Sequence, residues 1–275
     1  MSGARVTAVL SGGGVKAAAH LGALEILSQA GYVPTRFVGT SMGAVIAAGL
    51  AAGWSIAEVR NKLAPIERSQ VAALDRTAFV KGMFAQSLFK GTRLRQTLGE
   101  LLPVTRFADL KLPLSVTTTD LDTGALAVYG AGGDDAPLAD VLYASCALPV
   151  FYPAGLVNGR RLADGGLRAV LALEVAGGFP ADLVLAVDVG PGFDSAPSRD
   201  RQPPALIRAH NEAQHVLMST QTTQALALWR ATPGRPRLIY VRPAVHRGET
   251  FAFSQIDSYV EAGRQAALAA LGRPT

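Results

Sequence analysis

The chain has 275 residues, 49% hydrophobic and 17% charged, with 26 Lys and Arg against 21 Asp and Glu for a formal charge of +5. That balance excludes a disordered chain, and the length suffices for one large domain with a thick interior. The 29 glycines follow no period, which excludes a collagen-like rod, and the longest apolar run, residues 42–54, falls short of the ~20 residues a membrane-spanning helix needs.

In chain order, residues 5–10 (RVTAVL) read as a buried strand and 15–30 as a helix, with three glycines between them. Residues 36–39 form a short strand, 42–53 an apolar helix with a glycine cap, and 55–64 a helix with Ser55 as N-cap and Glu58 three residues on. From 65 to 107 the pattern weakens, and Phe79, Met83, Phe84, Leu88 and Phe89 sit among basic residues. This stretch reads as an insertion, a lid over the sheet. Residues 112–120 and 125–130 make a hairpin, 138–148 a helix stopped by Pro149, and 159–166 a strand ending in a tight turn. Residues 181–190 form a central strand, 191–204 a proline-rich loop, 205–231 a long helix, 237–243 a last strand and 255–271 a closing helix. Strands alternate with helices and several are apolar throughout. The expected fold is α/β: a three-layer sandwich with a mostly parallel central sheet, one domain over residues 1–275.

The charge is uneven. Residues 60–106 hold nine Lys and Arg against three acids, a net of +6, so the rest of the chain sums to −1. Such a segment favours peripheral contact with an anionic membrane surface, or is simply a solvated helical face. The start lacks a secretory signal, and the single cysteine, Cys146, cannot form an internal disulfide. The expectation is a cytoplasmic protein, at most peripheral to the membrane.

Two strand–helix junctions carry chemistry. GTSMG, residues 39–43, fits G-x-S-x-G between a strand and an apolar helix. A nucleophile elbow needs tiny residues two before and two after its serine, here Gly39 and Gly43 around Ser41. The competing reading makes Ser41 a helix cap. The first junction, Gly12, Gly13 and Gly14, fits neither a dinucleotide fingerprint, since Ala17 stands at the sixth position, nor a P-loop. What remains is a nest of bare amides suited to an oxyanion beside a serine. Lys16 either adds charge there or is an exposed first-turn residue.

A serine needs a base. Among the four histidines, His20 reads as structural, His210 and His215 fall in the long helix, and His246, in a loop after the last strand, is the one in hydrolase order. Asp164 in LADGG and Asp188 in AVDVG both end strands at the edge where α/β sites lie, and the residues alone leave the choice open.

Taken together, SGGGVKAAAHLGAL (11–24), GTSMG (39–43), ASCALPVFYP (144–153), DGG (164–166) and FAFSQIDSYVEAGRQAA (251–267) resemble the bacterial patatin-like phospholipases, a family of serine acyl hydrolases. The resemblance implies a Ser–Asp dyad without histidine: Ser41 as nucleophile, Asp164 as base, and the loop Gly12, Gly13, Gly14 and Val15 as oxyanion hole. Gly39 and Gly43 then shape the elbow, and Gly165 and Gly166 the acid turn. It departs from the family at Ala17, where glycine is usual. It implies a lipid or acyl-ester substrate, with no metal, no cofactor and no nucleic-acid partner. Alternatives are an esterase or thioesterase on soluble acyl substrates, or a catalytically weak lipid- or partner-binding module. Cys146 reads as a buried small residue.

Overall fold

A computed structural model describes residues 4–75, 87–193, 204–245 and 255–272. Eight strands form one sheet. β1 (Val6–Leu10) pairs in parallel with β2 (Arg36–Thr40) on one side and with β7 (Leu183–Val187) on the other, and β7 pairs in parallel with β8 (Arg237–Val241). β2 pairs in parallel with β3 (Leu114–Asp120). Three further strands run with antiparallel neighbours: β4 (Leu126–Gly130) and β6 (Arg160–Asp164) against β3, and β5 (Gly155–Val157) against β6. The sheet is therefore mixed, with a parallel centre.

The uniform apolarity of the central strands has a direct cause. Val6, Ala8 and Leu10 of β1, with Leu183, Leu185 and Val187 of β7, join one core, while Val9, Val184 and Ala186 join the other. Both faces are covered, so neither face of these strands is left to water. The first layer contains α1 (Ala19–Gln29), α2 (Met42–Ala51), α3 (Ile56–Leu63) and α10 (Ile256–Leu271). It also holds α4 (Arg68–Val71), α5 (Gly91–Leu101) and α6 (Leu138–Cys146). The opposite layer holds α7 (Gly166–Ala169), α8 (Leu173–Ala176) and α9 (Ala205–Ala231), which buries Leu226 and Trp229.

Local signals resolve as their chemistry requires. Ser55 and Glu58 form a reciprocal capping box: the Glu58 amide donates to Ser55 Oγ at 3.2 Å, and the Ser55 amide to Glu58 Oε2 at 2.7 Å. The helix expected over 15–30 instead opens as a 3₁₀ turn, Gly14–Ala18, before α1 begins. The tighter winding suits the small residues Ala17, Ala18 and Ala19 and leaves the first amides of the turn free to face forward. The described parts of 65–107 pack on α6 and the loop after it. Leu88 and Phe89 donate to the Val150 and Phe151 carbonyls at 2.8 and 2.9 Å. Phe79, Met83, Phe84 and Lys81 lie outside the described residues.

One register places the site. Val116 of β3 pairs with Gly39 on one side and Tyr129 on the other, and Thr118 pairs with Asp164 and Ala127. A strand residue has one neighbour per side, so β4 fills one side of β3 while β2 and β6 share the other, tip to tip. β2 ends at Thr40, opposite Thr117, and β6 comes from the opposite direction to end at Asp164, opposite Thr118. The chain ends that bear Ser41 and Asp164 meet there.

Candidate active site

Ser41 sits between β2 and α2 with φ 53° and ψ −131°, a backbone region that costs a non-glycine residue on the order of 1–3 kcal/mol. Its side chain makes no capping bond to α2. Instead Oγ donates to Asp164 Oδ2 at 2.8 Å, across 123 residues of sequence. The turn is possible because its flanks lack Cβ atoms. One on Gly39 would overlap Ala44, and one on Gly43 would overlap the carbonyl oxygens of Leu10 and Ser11.

Asp164 is held on every side. Its amide donates to Ala147 O at 3.1 Å, its carbonyl accepts from Thr119 Oγ1 at 2.9 Å, and its second carboxyl oxygen accepts the Gly166 amide at 2.7 Å. Gly165 packs against the Thr117 carbonyl. Burial raises the carboxyl pKa from 3.8 to about 6, against the smaller opposing effects of the Gly166 amide and the Ser41 hydroxyl. The group is thus a stronger base than an ordinary aspartate, and still largely ionised at pH 7.

The glycine loop lies directly beside the serine: a Cβ on Gly12 would sit 3.3 Å from that of Ser41. The Gly12 amide, expected among the anion donors, donates instead to Val170 O at 3.1 Å. The loop is still following the edge of the sheet at that point, so Gly12 belongs to the loop but not to its free amides. Gly13 approaches Val189 so closely that a Cβ would stand 2.7 Å from its side chain and 2.8 Å from its carbonyl oxygen. Gly14, at φ 61°, turns the chain into the 3₁₀ segment, where Val15 follows. The amides of Gly13, Gly14 and Val15 stand at the start of that turn, where helical geometry supplies no partner.

The other candidates separate cleanly. Asp188 is occupied: Arg242 reaches its Oδ2 at 2.9 Å, Tyr240 donates to the same oxygen at 2.8 Å, and the Gly190 amide donates to Oδ1 at 2.9 Å. His20 is buried against the Ser11 carbonyl, His210 and His215 lie in α9, and His246 falls outside the described residues. Lys16 is buried rather than exposed. Cys146 is buried beside Ser41, and burial pushes its thiol pKa up. Of the basic stretch, Arg60 pairs with Asp257 at 2.6 Å, Arg95 with Asp140 at 2.6 Å, and Lys62 lies over the Trp54 ring.

Sequence reasoning missed Ser145. The Ser41 amide donates to its Oγ at 2.8 Å, and that hydroxyl in turn donates to Thr117 O at 2.7 Å, pinning the elbow to β3. The available signal was a serine in an otherwise apolar stretch of α6, where a buried hydroxyl must find partners.

A family profile described as "Patatin-like phospholipase" matches residues 8–176. An uncharacterized NTE family protein of Mycobacterium tuberculosis is 29% identical over 202 residues, covering 74% of this chain and 53% of that protein. The chain thus spans about half the length of that relative. The uncharacterized protein YqhO of Bacillus subtilis is 30% identical over 236 residues, covering 78% of this chain and 79% of its own. Among solved structures, VipD from Legionella pneumophila aligns with a TM-score of 0.47 at 16% identity, over 98% of this chain and 67% of that one.

Proposed function

Because the chain belongs to the patatin-like phospholipase family, we propose that it is a serine acyl hydrolase that cleaves fatty acyl esters of lipids through an acyl-enzyme on Ser41, with Asp164 as base. The observation that carries this reading is the 2.8 Å hydrogen bond from a hydroxyl in a strained elbow to a buried carboxylate. As Ser41 Oγ bonds to the ester carbonyl carbon, its proton passes to Asp164 Oδ2. The carbonyl oxygen becomes an oxyanion that the amides of Gly13, Gly14 and Val15 receive. One such donor typically contributes ~3 kcal/mol to the transition state. The tetrahedral species collapses, the C–O bond to the alcohol breaks, and the alcohol leaves with the proton from Asp164. Water then attacks the acyl-enzyme and gives one proton to Asp164; the C–O bond to Ser41 breaks as that proton passes to Ser41 Oγ, and the fatty acid leaves, losing its remaining proton to solvent.

A fluorophosphonate probe tests the reading. Wild-type protein is expected to label at Ser41, found by mass spectrometry of the digest, and to release fatty acid from long-chain phospholipid faster than from short-chain soluble esters. Faster turnover of the soluble esters assigns the dyad to an esterase instead. A folded protein that neither labels nor hydrolyses either substrate is a binding module, and the proposal fails.

The base acts only when ionised. With a pKa of about 6, kcat/KM should fall about tenfold per pH unit below 6 and level off above about 7. A profile flat down to pH 4.5 would show that Asp164 does not take the proton.

A further inference from the structure

One enclosed titratable side chain stands outside the dyad and beside the glycine loop. His20, at the start of α1, has no solvent exposure. Its Nε2 lies 3.0 Å from the Ser11 carbonyl oxygen. Its Nδ1 is also buried and meets no hydrogen-bond partner among the described residues. A carbonyl accepts only from an N–H, so the proton of the neutral ring resides on Nε2 and Nδ1 carries the lone pair. Protonating Nδ1 would strand an N–H in the core. Burial lowers the pKa to about 4, despite the Ser11 carbonyl and the charge of Asp188. Near neutral pH, His20 is therefore a fixed single donor.

The carbonyl it holds belongs to the peptide bond that opens the glycine loop. The other end of that peptide, the Gly12 amide, donates to Val170 O at 3.1 Å. The Ser11 hydroxyl donates to Gly12 O at 3.2 Å and accepts the Val189 amide at 2.8 Å. The Ser11 carbonyl also packs against Gly43, two residues past Ser41. One peptide plane is thus gripped at both ends, between the elbow and the amides that follow it. Glycine 12 offers no side chain to restrain a rotation of this plane, and the donor on the carbonyl side is His20.

We propose that His20 is a positioning residue: by donating Nε2–H to the Ser11 carbonyl it fixes the Ser11–Gly12 peptide plane and so aims the Gly13 and Gly14 amides at the acyl oxygen beside Ser41. The aim at an acyl oxygen rests on the acyl-hydrolase reading; the restraint on the loop does not.

Two variants and two readouts test it. His20→Leu fills much of the space without a donor, and His20→Gln returns an amide N–H close to the place of Nε2. In His20→Leu, kcat on a short-chain ester should fall about 10- to 100-fold with KM little changed, because only an interaction made in the transition state is weakened. Hydrogen exchange in the peptide covering residues 10–18 should quicken about tenfold, while β7 and α2 keep their protection. His20→Gln should restore both to within about threefold of wild type. A His20→Leu variant with wild-type kcat and exchange overturns the proposal. So does a His20→Gln variant as impaired as His20→Leu, which would mark a packing role. Should His20→Leu fail to fold, His20→Asn serves, its amide too short to span the gap: impairment there with recovery in His20→Gln supports the proposal, and equal behaviour of the two overturns it. If the wild type hydrolyses no ester while exchange still separates Leu from Gln, the restraint stands and the acyl-hydrolase reading falls.

Discussion

Ser41→Ala and Asp164→Asn are each expected to lower kcat at least ~10³-fold, with the double variant no slower than the slower single one. Neither group works alone: a serine hydroxyl is a poor nucleophile until its proton has an acceptor, and the carboxylate has nothing to activate once the hydroxyl is gone. Single-turnover rates on all four proteins test this. Multiplicative losses, or an Asp164→Asn enzyme near wild-type speed, would refute the shared role. Stability should move the other way. A carboxyl whose pKa rises from 3.8 to about 6 on folding contributes stability that is complete below about 4 and lost as pH rises through about 6. At pH 8 the ionised group therefore costs the native state about 3 kcal/mol relative to the neutral acid. Asparagine has no charge to bury, keeps an acceptor for the Gly166 amide, and offers an N–H to Ser41. Asp164→Asn should accordingly be more stable than wild type in urea at pH 8, with the gap closing below pH 4. A gap independent of pH would mean that the carboxylate is not strained by burial.

Gly43→Ala is expected to abolish activity and to destabilise the fold by about 3–5 kcal/mol. The added methyl would have to occupy the space of the Leu10 and Ser11 carbonyl oxygens, which are backbone atoms with no rotamer to change. Relief requires α2 to withdraw from β1, and that movement carries Ser41 off Asp164. Gly99→Ala in α5 is the matched control. Its new Cβ would have Ala139 Cβ at 3.9 Å as its nearest neighbour, and it sits in the last turn of the helix. It should leave activity intact and raise stability by up to ~1 kcal/mol. Comparable losses from both substitutions would remove the steric account of the elbow.

The features legible in the sequence are those a few residues decide. The Ser55–Glu58 capping box and the 205–231 helix rest on contacts within one or two turns of chain, and the elbow is marked by the local spacing of Gly39, Ser41 and Gly43. What stayed hidden depends on distant register. LADGG and AVDVG look alike along the chain, and Asp188 differs because Tyr240 and Arg242, some fifty residues further on, occupy its carboxylate. The resemblance, rather than local chemistry, favoured Asp164. Gly12 reads as one of three equivalent glycines until Val170, at the end of α7, takes its amide. Ser145 is marked locally only as a hydroxyl in an apolar helix, and its two partners, the Ser41 amide of the elbow and the Thr117 carbonyl of β3, are distant in the chain.

The meeting of β2 and β6 along one side of β3 also bears on synthesis. β2, which leads into Ser41, and β3 beside it are complete by residue 120, whereas the carboxylate arrives only with residue 164. Until that later segment has left the ribosome and docked, the Ser41 hydroxyl lacks its Asp164 partner, so the proposed dyad is assembled late and together with closure of the ladder.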